Sequence, residues 1–461
     1  MNRLPPEVLA SCATFVSDND PRPIVPLTHV CRYWRRSICS NPRNWASIAT
    51  GWKRLTPLCL ERAGVVPLTV DITVFDVRND GDFLKPLLTH TSRIGRLRLF
   101  GHVSTEALIN DLPGFFDSPM NNLTALELRQ TAEPAELFPP SESPVPPVFQ
   151  NLARLESLRL TRTPLHPILF NIPSLKDLEL LGYGGLFDFG SFIRFLHSNL
   201  DLERVVLDIQ FVSDSVETIL TGKVPLSRLQ HLSITCSKAI DSRGLLSCIS
   251  LPRGVHIEVI SIEPDPSAEL GSFLPSPPTP IRELLAPITA IKTQLTPREL
   301  HLSGNGSAFT FRSPKNPLNA HGEFALFPTA PVRELYINIH PHTFTDVGLS
   351  KVMKRLPALE VLAISEAAVF PAGLASALTE QPVLCPVLRT IAFFDCDINP
   401  DIIRKLGEAL AKRRDSTAAP VYRVVIVNST GTLLDRTSIR QLRKSVPCVE
   451  VRVDDKLPDL S

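Results

Sequence analysis

His340 and His342, separated only by Pro341, are the closest pair of histidines in the chain, and two imidazoles at that spacing could begin a metal site. A structural zinc takes four ligands, and no cysteine or carboxylate stands at a spacing that supplies the third and fourth, so the pair reads as a surface loop. Gly182-Tyr183-Gly184-Gly185 offers backbone N–H groups that could cradle a phosphate, yet no Lys-Ser/Thr follows, and it reads as a chain reversal. A Gly-x-Ser-x-Gly nucleophile elbow is absent from the sequence. Nine cysteines, at 12, 31, 39, 59, 236, 248, 385, 396 and 448, are odd in number, form no Cys-x-x-Cys pair and stand mostly among apolar residues. They read as buried free thiols in a reducing compartment, in which case the sequons at Asn122, Asn305 and Asn428 carry no glycan. Lys412-Arg413-Arg414 closes an expected helix, where cations meet the negative end of the dipole; the other reading is a nuclear-import signal. Catalysis needs convergent groups, and none of these runs provides them. The expectation is a non-catalytic protein without metal or cofactor.

The bulk composition narrows the partners. In 461 residues, 48 Lys and Arg balance 47 Asp and Glu, which gives no hint of a basic face for nucleic acid, and four tyrosines leave little for stacking on bases. No stretch approaches 18 apolar residues, and Met1 to Pro6 leads into a polar, proline-containing segment with no signal-peptide core. A cytoplasmic or nuclear protein with no membrane partner is expected. The composition is otherwise globular, except that 43 prolines against 21 glycines must interrupt its elements often.

The body of the chain repeats. Apolar-x-x-apolar-x-apolar occurs as Ile94-Leu97-Leu99, Leu123-Leu126-Leu128, Leu155-Leu158-Leu160, Leu175-Leu178-Leu180, Leu202-Val205-Leu207 and Leu229-Leu232-Ile234. After an irregular patch it returns as Val332-Leu335-Ile337, Leu359-Leu362-Ile364, Leu388-Ile391-Phe393, Val421-Val424-Ile426 and Val446-Val449-Val451, with weaker copies at Val255-Ile257 and Leu300-Leu302 and an extra strand at Leu68, Val70 and Ile72. Most intervals hold one strand, one helix and two loops. Helical patterns lie between copies: Ser104 before Leu108, Ile109 and Leu112; Val347 to Leu356; and Asn399-Pro400 leading into Ile402, Ile403, Leu406 and Leu410, where proline at the first helical position loses no hydrogen bond. Alternation within a strand sends the leucines to one side. The residues between them, Arg98, Glu127, Arg159, Glu179, Asp208, Ser233, His301, Tyr336, Ala363 and Ala392, then line the other. One strand-helix unit cannot cover its own apolar side, so neighbours stack into a parallel sheet with helices outside. Ordinary strands of a doubly wound sheet would show similar spacing, but no Gly-rich phosphate turn follows these strands. The array resembles the leucine-rich-repeat family over residues 66–453, with Asn305 and Cys396 at the position where that family places Asn or Cys. Proline-rich insertions near 134–148, 263–287 and 314–332 read as excursions from one edge.

The first fifty residues differ in kind. Leu4-Pro5-Pro6-Glu7-Val8-Leu9 leads through Phe15 to Val30-Cys31-Arg32-Tyr33-Trp34-Arg35-Arg36-Ser37-Ile38, then Pro42-Arg43-Asn44-Trp45. Val30, Trp34 and Ile38 recur every four residues, one stripe of a helix, while Pro21, Pro23 and Pro26 delay the helix before it. So short a segment makes a marginal core and must pack on something else. These residues resemble the F-box motif in its fungal form, and Leu58 to Val70 is similar to the link that joins such motifs to their repeats. The resemblance implies α/β architecture: a short all-α F-box at 1–50, a helical linker at 51–65, an irregular leucine-rich-repeat solenoid at 66–453 with parallel strands on the concave face and helices outside, and a tail at 454–461. It also implies a substrate-recognition subunit of a Skp-cullin-F-box ubiquitin ligase. A Skp-type adaptor, and through it cullin and RING subunits, would bind at Leu4, Pro5, Glu7, Val8, Leu9, Phe15, Val30, Cys31, Trp34, Ile38 and Trp45, and an unknown target protein on the repeat face. The alternative is an interaction scaffold whose N-terminal helices only cap the solenoid.

Overall fold

The computed structural model describes residues 4–17, 24–52, 54–73, 84–101, 115, 120–130, 152–162, 172–187, 189–211, 223–236, 239–252, 254–262, 290–295, 298–304, 307–312, 332–338, 346–365, 372–380, 383–396, 398, 400–416, 419–427 and 436–452. The three proline-rich insertions apart from Val332, the expected helix from Ser104, the His340-Pro341-His342 run and the tail from 454 lie outside them. So do Asn305 and Asn428. The chain is mixed α/β with parallel sheet, divided into two compact units: residues 1–219 with 224–229, and residues 220–223 with 230–461.

The first unit begins with helices α1 (Pro6–Ser17), α2 (Ile24–Thr28) and α3 (Arg32–Cys39), a 3-10 turn at Pro42–Trp45, strand β1 (Ser47–Ala49) and helix α4 (Thr56–Ala63). Pro26 sits inside α2 at no cost, because first-turn N–H groups have no intrahelical partner. The strands are β2 (Leu68–Thr73), β3 (Ile94–Gly101), β4 (Ala125–Gln130), β5 (Ser157–Thr161), β6 (Asp177–Phe187), β7 (Arg204–Phe211) and the two-residue β8 (Val224–Pro225); α5 (Leu84–Leu88) precedes β3 and α6 (Phe189–Ser198) precedes β7. From β1 to β7 each strand pairs in parallel with the next in sequence. Register builds two apolar columns, Val70, Leu97, Leu126, Leu158, Leu178, Val205 and Ile72, Leu99, Leu128, Leu160, Leu180, Leu207, all at most 4% exposed. Each such side chain contributes on the order of 2 kcal/mol of burial.

A turn precedes β4, β5 and β6. Leu123, Leu155 and Leu175 donate their N–H to the carbonyl three residues back, at Met120, Leu152 and Ile172, and all six residues are buried. Leu359 and Leu388 repeat the arrangement in the second unit with Leu356 and Cys385. The repeated motif therefore carries a fourth apolar anchor, three residues ahead of the ones visible in the sequence pattern.

The second unit holds β9 (His231–Cys236), α7 (Ala239–Cys248), β10 (Ile249–Ser250), β11 (His256–Ser261), β12 (Ala290–Leu295), β13 (Arg298–Gly304), β14 (Ser307–Arg312) and β15 (Glu334–Asn338). It continues with α8 (Asp346–Arg355), β16 (Val361–Ser365), α9 (Ala372–Thr379), β17 (Thr390–Phe394), α10 (Pro400–Arg414), β18 (Arg423–Val427), α11 (Arg436–Ser445) and β19 (Cys448–Arg452). Strands β15 to β19 pair in parallel in chain order, and helices α8 to α11 pack on one another in the same order. Between β11 and β15 the order departs from the repeat. β11 pairs with β14, β14 with β13, β13 with β12 and β12 with β15, and the middle strand β13 runs antiparallel to both neighbours. Leu300 and Leu302, read as a weak repeat copy, thus belong to a three-stranded meander. A period of two is common to parallel and antiparallel strands, so alternation alone could not separate them.

The N-terminal helices are part of the first unit. Ser47, Ile48 and Ala49 pair with Thr69, Val70 and Asp71, and Trp45, Ile48, Cys59, Leu60 and Ala63 are buried.

Candidate functional site

Among the described residues no group of three or more His, Cys, Asp or Glu side chains could hold a metal ion, and no helix is long and apolar enough to cross a membrane. The glycine run at 182–185 lies inside β6, where Gly182 N–H donates to Asp208 Oδ2 at 3.1 Å; the expected chain reversal there is replaced by continued strand. Lys412-Arg413-Arg414 does end α10, but Arg413 is buried and donates to the carbonyls of Leu384 (2.9 Å) and Cys385 (2.6 Å). Two surfaces remain that could engage a partner.

The first is the N-terminal helical segment. In α1, Leu9 and Ala13 form the buried stripe, whereas Val8, Cys12 and Phe15, at i, i+4 and i+7, form an exposed one. Phe15 is 84% exposed, Val30 58%, Leu4 49% and Val8 44%, which is unusual for four apolar side chains within one short segment. Pro5, Glu7 and Cys31 are also exposed and Trp34 is half-buried. Leu9, Ile38 and Trp45 are interior: Asn44 Nδ2 and Trp45 Nε1 both donate to the Ile38 carbonyl, and Arg62 lies over the Trp45 ring at 4.4 Å. The eleven residues assigned to adaptor binding therefore split, three of them building the core that presents the others. Val30 precedes α3 rather than starting its stripe, and Cys31 caps that helix, its thiol accepting from Trp34 N–H. Tyr33 Oη donates to the Leu4 carbonyl at 2.6 Å and ties the residue two positions ahead of α1 to α3. A shallow open groove of about 580 Å³, lined by Ser11, Thr14, Phe15, Asn41 and Arg43, adjoins the exposed stripe.

The second surface is the strand face opposite the leucine columns. In the first unit it carries a ladder of alternating charge, because Asp71, Arg98, Glu127, Arg159 and Glu179 occupy matched register on β2 to β6. Arg98 lies 3.5 Å from both Asp71 and Glu127; Arg159 lies 3.4 Å from Glu179; and Arg204 reaches Asp177 at 2.8 Å and Glu179 at 3.2 Å. Burial raises the Asp71 pKa above its ordinary value even though Arg98 opposes the shift, since the long ion pair does not recover the lost hydration. Burial pulls the Arg204 pKa down, and hydrogen bonds and charge from Asp177 and Glu179 more than offset it. Asp71, Arg96, Arg129, Asp177 and Arg204 were not singled out in the sequence. Most stand two residues from a named position on the same strand, so the period of two would have found them.

The second unit differs. Ser233 Oγ donates to Glu258 at 3.0 Å, and His231 stacks on His256, its partner in register, at 5.1 Å. Farther along, Ala363 and Ala392 are 2% and 0% exposed and cluster with Phe394, Val425 and Val427 against half-buried Tyr336. The expectation that Ala363 and Ala392 line an open face is corrected: the sheet is buried on both sides there, as parallel sheets commonly are. His301 lies in β13, and the side chains of Asp208 and Ser233 are half-buried and buried.

No family model matches this sequence, and no curated protein matches it.

Proposed function

We propose that the protein is a substrate-recognition subunit of a Skp-cullin-F-box ubiquitin ligase, with its N-terminal helices docking a Skp-type adaptor and a leucine-rich-repeat array holding a target protein. The observation that carries this reading is the exposed apolar set Leu4, Val8, Phe15 and Val30, held on a core of Leu9, Ile38 and Trp45. It falls on the residues that resemble an F-box. The in-order parallel strands, with their turn-plus-column anchors, support the repeat reading. No residue of this chain need do chemistry. Rigid placement of a target near the ubiquitin-conjugating enzyme raises the effective concentration of its lysines, and the gain comes from proximity.

Co-expression with a fungal Skp-type adaptor tests the proposal. The tagged full chain is expected to carry the adaptor through purification, and a Val8→Asp, Phe15→Asp chain, changed only at exposed positions, is expected to lose it. A second reading has an observation of its own: pairing of β1 with β2 and burial of Ile48 and Leu60 fit helices that cap the first strand. A capping role without adaptor binding predicts that neither chain carries the adaptor.

A further inference from the structure

On the strand face of the first unit, the acids and Arg98 lie deeper than the other arginines. The side chains of Asp71, Arg98, Glu127, Asp177 and Glu179 are 16%, 18%, 20%, 26% and 17% exposed, whereas those of Arg159 and Arg204 are 46% and 39% exposed. Arg96 and Arg129 are exposed as well, and among the described residues neither has a carboxylate within ion-pair distance. Arg129 lies instead over the Phe100 ring, 6.0 Å from its centre. Solvent therefore meets the guanidinium groups of Arg96, Arg129, Arg159 and Arg204, and the carboxylates sit deeper together with Arg98. A guanidinium has five N–H donors; Arg159 and Arg204 spend some of theirs on Asp177 and Glu179, which fixes their orientation and leaves the rest for a ligand.

We propose that the face formed by β3 to β7 binds an acidic peptide segment of a partner protein, its Glu or Asp carboxylates meeting Arg96, Arg129, Arg159 and Arg204. These arginines stand on β3, β4, β5 and β7, a span of roughly 19 Å at about 4.8 Å per strand. About six extended residues cross that distance. The chemistry favours a peptide over a nucleic acid, because Glu127, Asp177, Glu179 and Asp208 interleave the arginines, and single carboxylates on long side chains can be placed between these acids while a phosphate at every nucleotide cannot. The proposal rests on the strand face being the target-holding surface of the reading above. Its residues are remote in sequence from the adaptor set, so each can fail without the other.

Fluorescence anisotropy of a labelled hexaglutamate peptide with the full chain is the test, with hexalysine and a six-nucleotide thymidine strand as comparisons. Saturable binding of hexaglutamate is expected, weakened about tenfold or more by Arg96→Ala with Arg129→Ala and by added salt, with an unchanged thermal melt. Arg159→Gln, changed separately, is expected to weaken binding as well, and it stands in if the double variant melts early. Adaptor retention by these variants is expected to be unaltered. Absence of hexaglutamate binding, equal affinity in the variants, or tighter binding of hexalysine or the oligonucleotide would overturn the proposal.

Discussion

Arg413 brings a full charge into the interior of the second unit, where two of its nitrogens satisfy the Leu384 and Cys385 carbonyls while Nε has no hydrogen-bond partner among the described residues. Arg413→Leu leaves those carbonyls without their donor and is expected to lower unfolding free energy by about 2 kcal/mol in urea titration. Arg414→Ala next to it, exposed, is expected to stay within about 0.5 kcal/mol. A run of Lys-Arg-Arg at a helix end looks uniform in sequence. The carbonyls that single out its middle member arrive from 28 and 29 residues away, which no local pattern reports. The cysteines separate on the same physical basis. Burial pushes the Cys385 thiol up to about 12 and the Cys59 thiol up to about 11, against exposed Cys12 and Cys31. In the folded protein a thiol reagent at mildly alkaline pH is therefore expected to label Cys12 and Cys31 promptly and to spare Cys59 and Cys385 until unfolding. Asp71 supplies a pH dependence. With its folded pKa raised above the ordinary 3.8, the folded chain holds a proton that the unfolded chain has lost, so this group's contribution to stability falls as pH rises through that window. Comparing unfolding of the wild type and Asp71→Asn across that window, the difference should shift toward the variant as pH increases; a constant difference would contradict the assignment.

At the scale of the element, α10 packs on α11 through a glycine. A Cβ at Gly407 would meet Leu442 Cα at 3.9 Å, ordinary contact, and alanine is the better helix former. Gly407→Ala is expected to raise stability by about 0.5–1 kcal/mol in denaturant unfolding. Gly182 in β6 behaves oppositely: its φ is +72° and a Cβ would fall 2.9 Å from Arg162 Cγ, so Gly182→Ala is expected to cost about 1–3 kcal/mol by the same measurement. The long helix after Asn399 could be read from its proline and its apolar face, and it forms at Pro400–Arg414 with Ile403, Leu406 and Leu410 buried. The strand columns were legible for the same reason, a strict period of two between turns. The meander was not, since a period of two is the same in parallel and antiparallel strands, and β13 pairs antiparallel with its sequence neighbours β12 and β14.

For the whole molecule, the sequence set the first fifty residues apart by their motifs, and the chain forms two compact units that meet in sequence near 220–230, the first of which includes those residues. The strand β1 that follows the N-terminal helices pairs with β2, so a chain starting at residue 66 would lose β1 and leave that edge of β2 without its partner. Such a truncation is expected to be poorly soluble, which makes point changes in the full chain the better probe of the N-terminal surface. Charge balance and the scarcity of tyrosine directed attention to protein partners, and the adaptor surface proposed above is the exposed apolar stripe of α1. The most direct measurement is a calorimetric titration of a purified Skp-type adaptor into the full-length chain. Saturable one-to-one binding is predicted, weakened roughly 100-fold or more by Val8→Asp with Phe15→Asp, because two apolar side chains would lose their burial. Absence of binding by the wild type, or the same affinity in the variant, would contradict it.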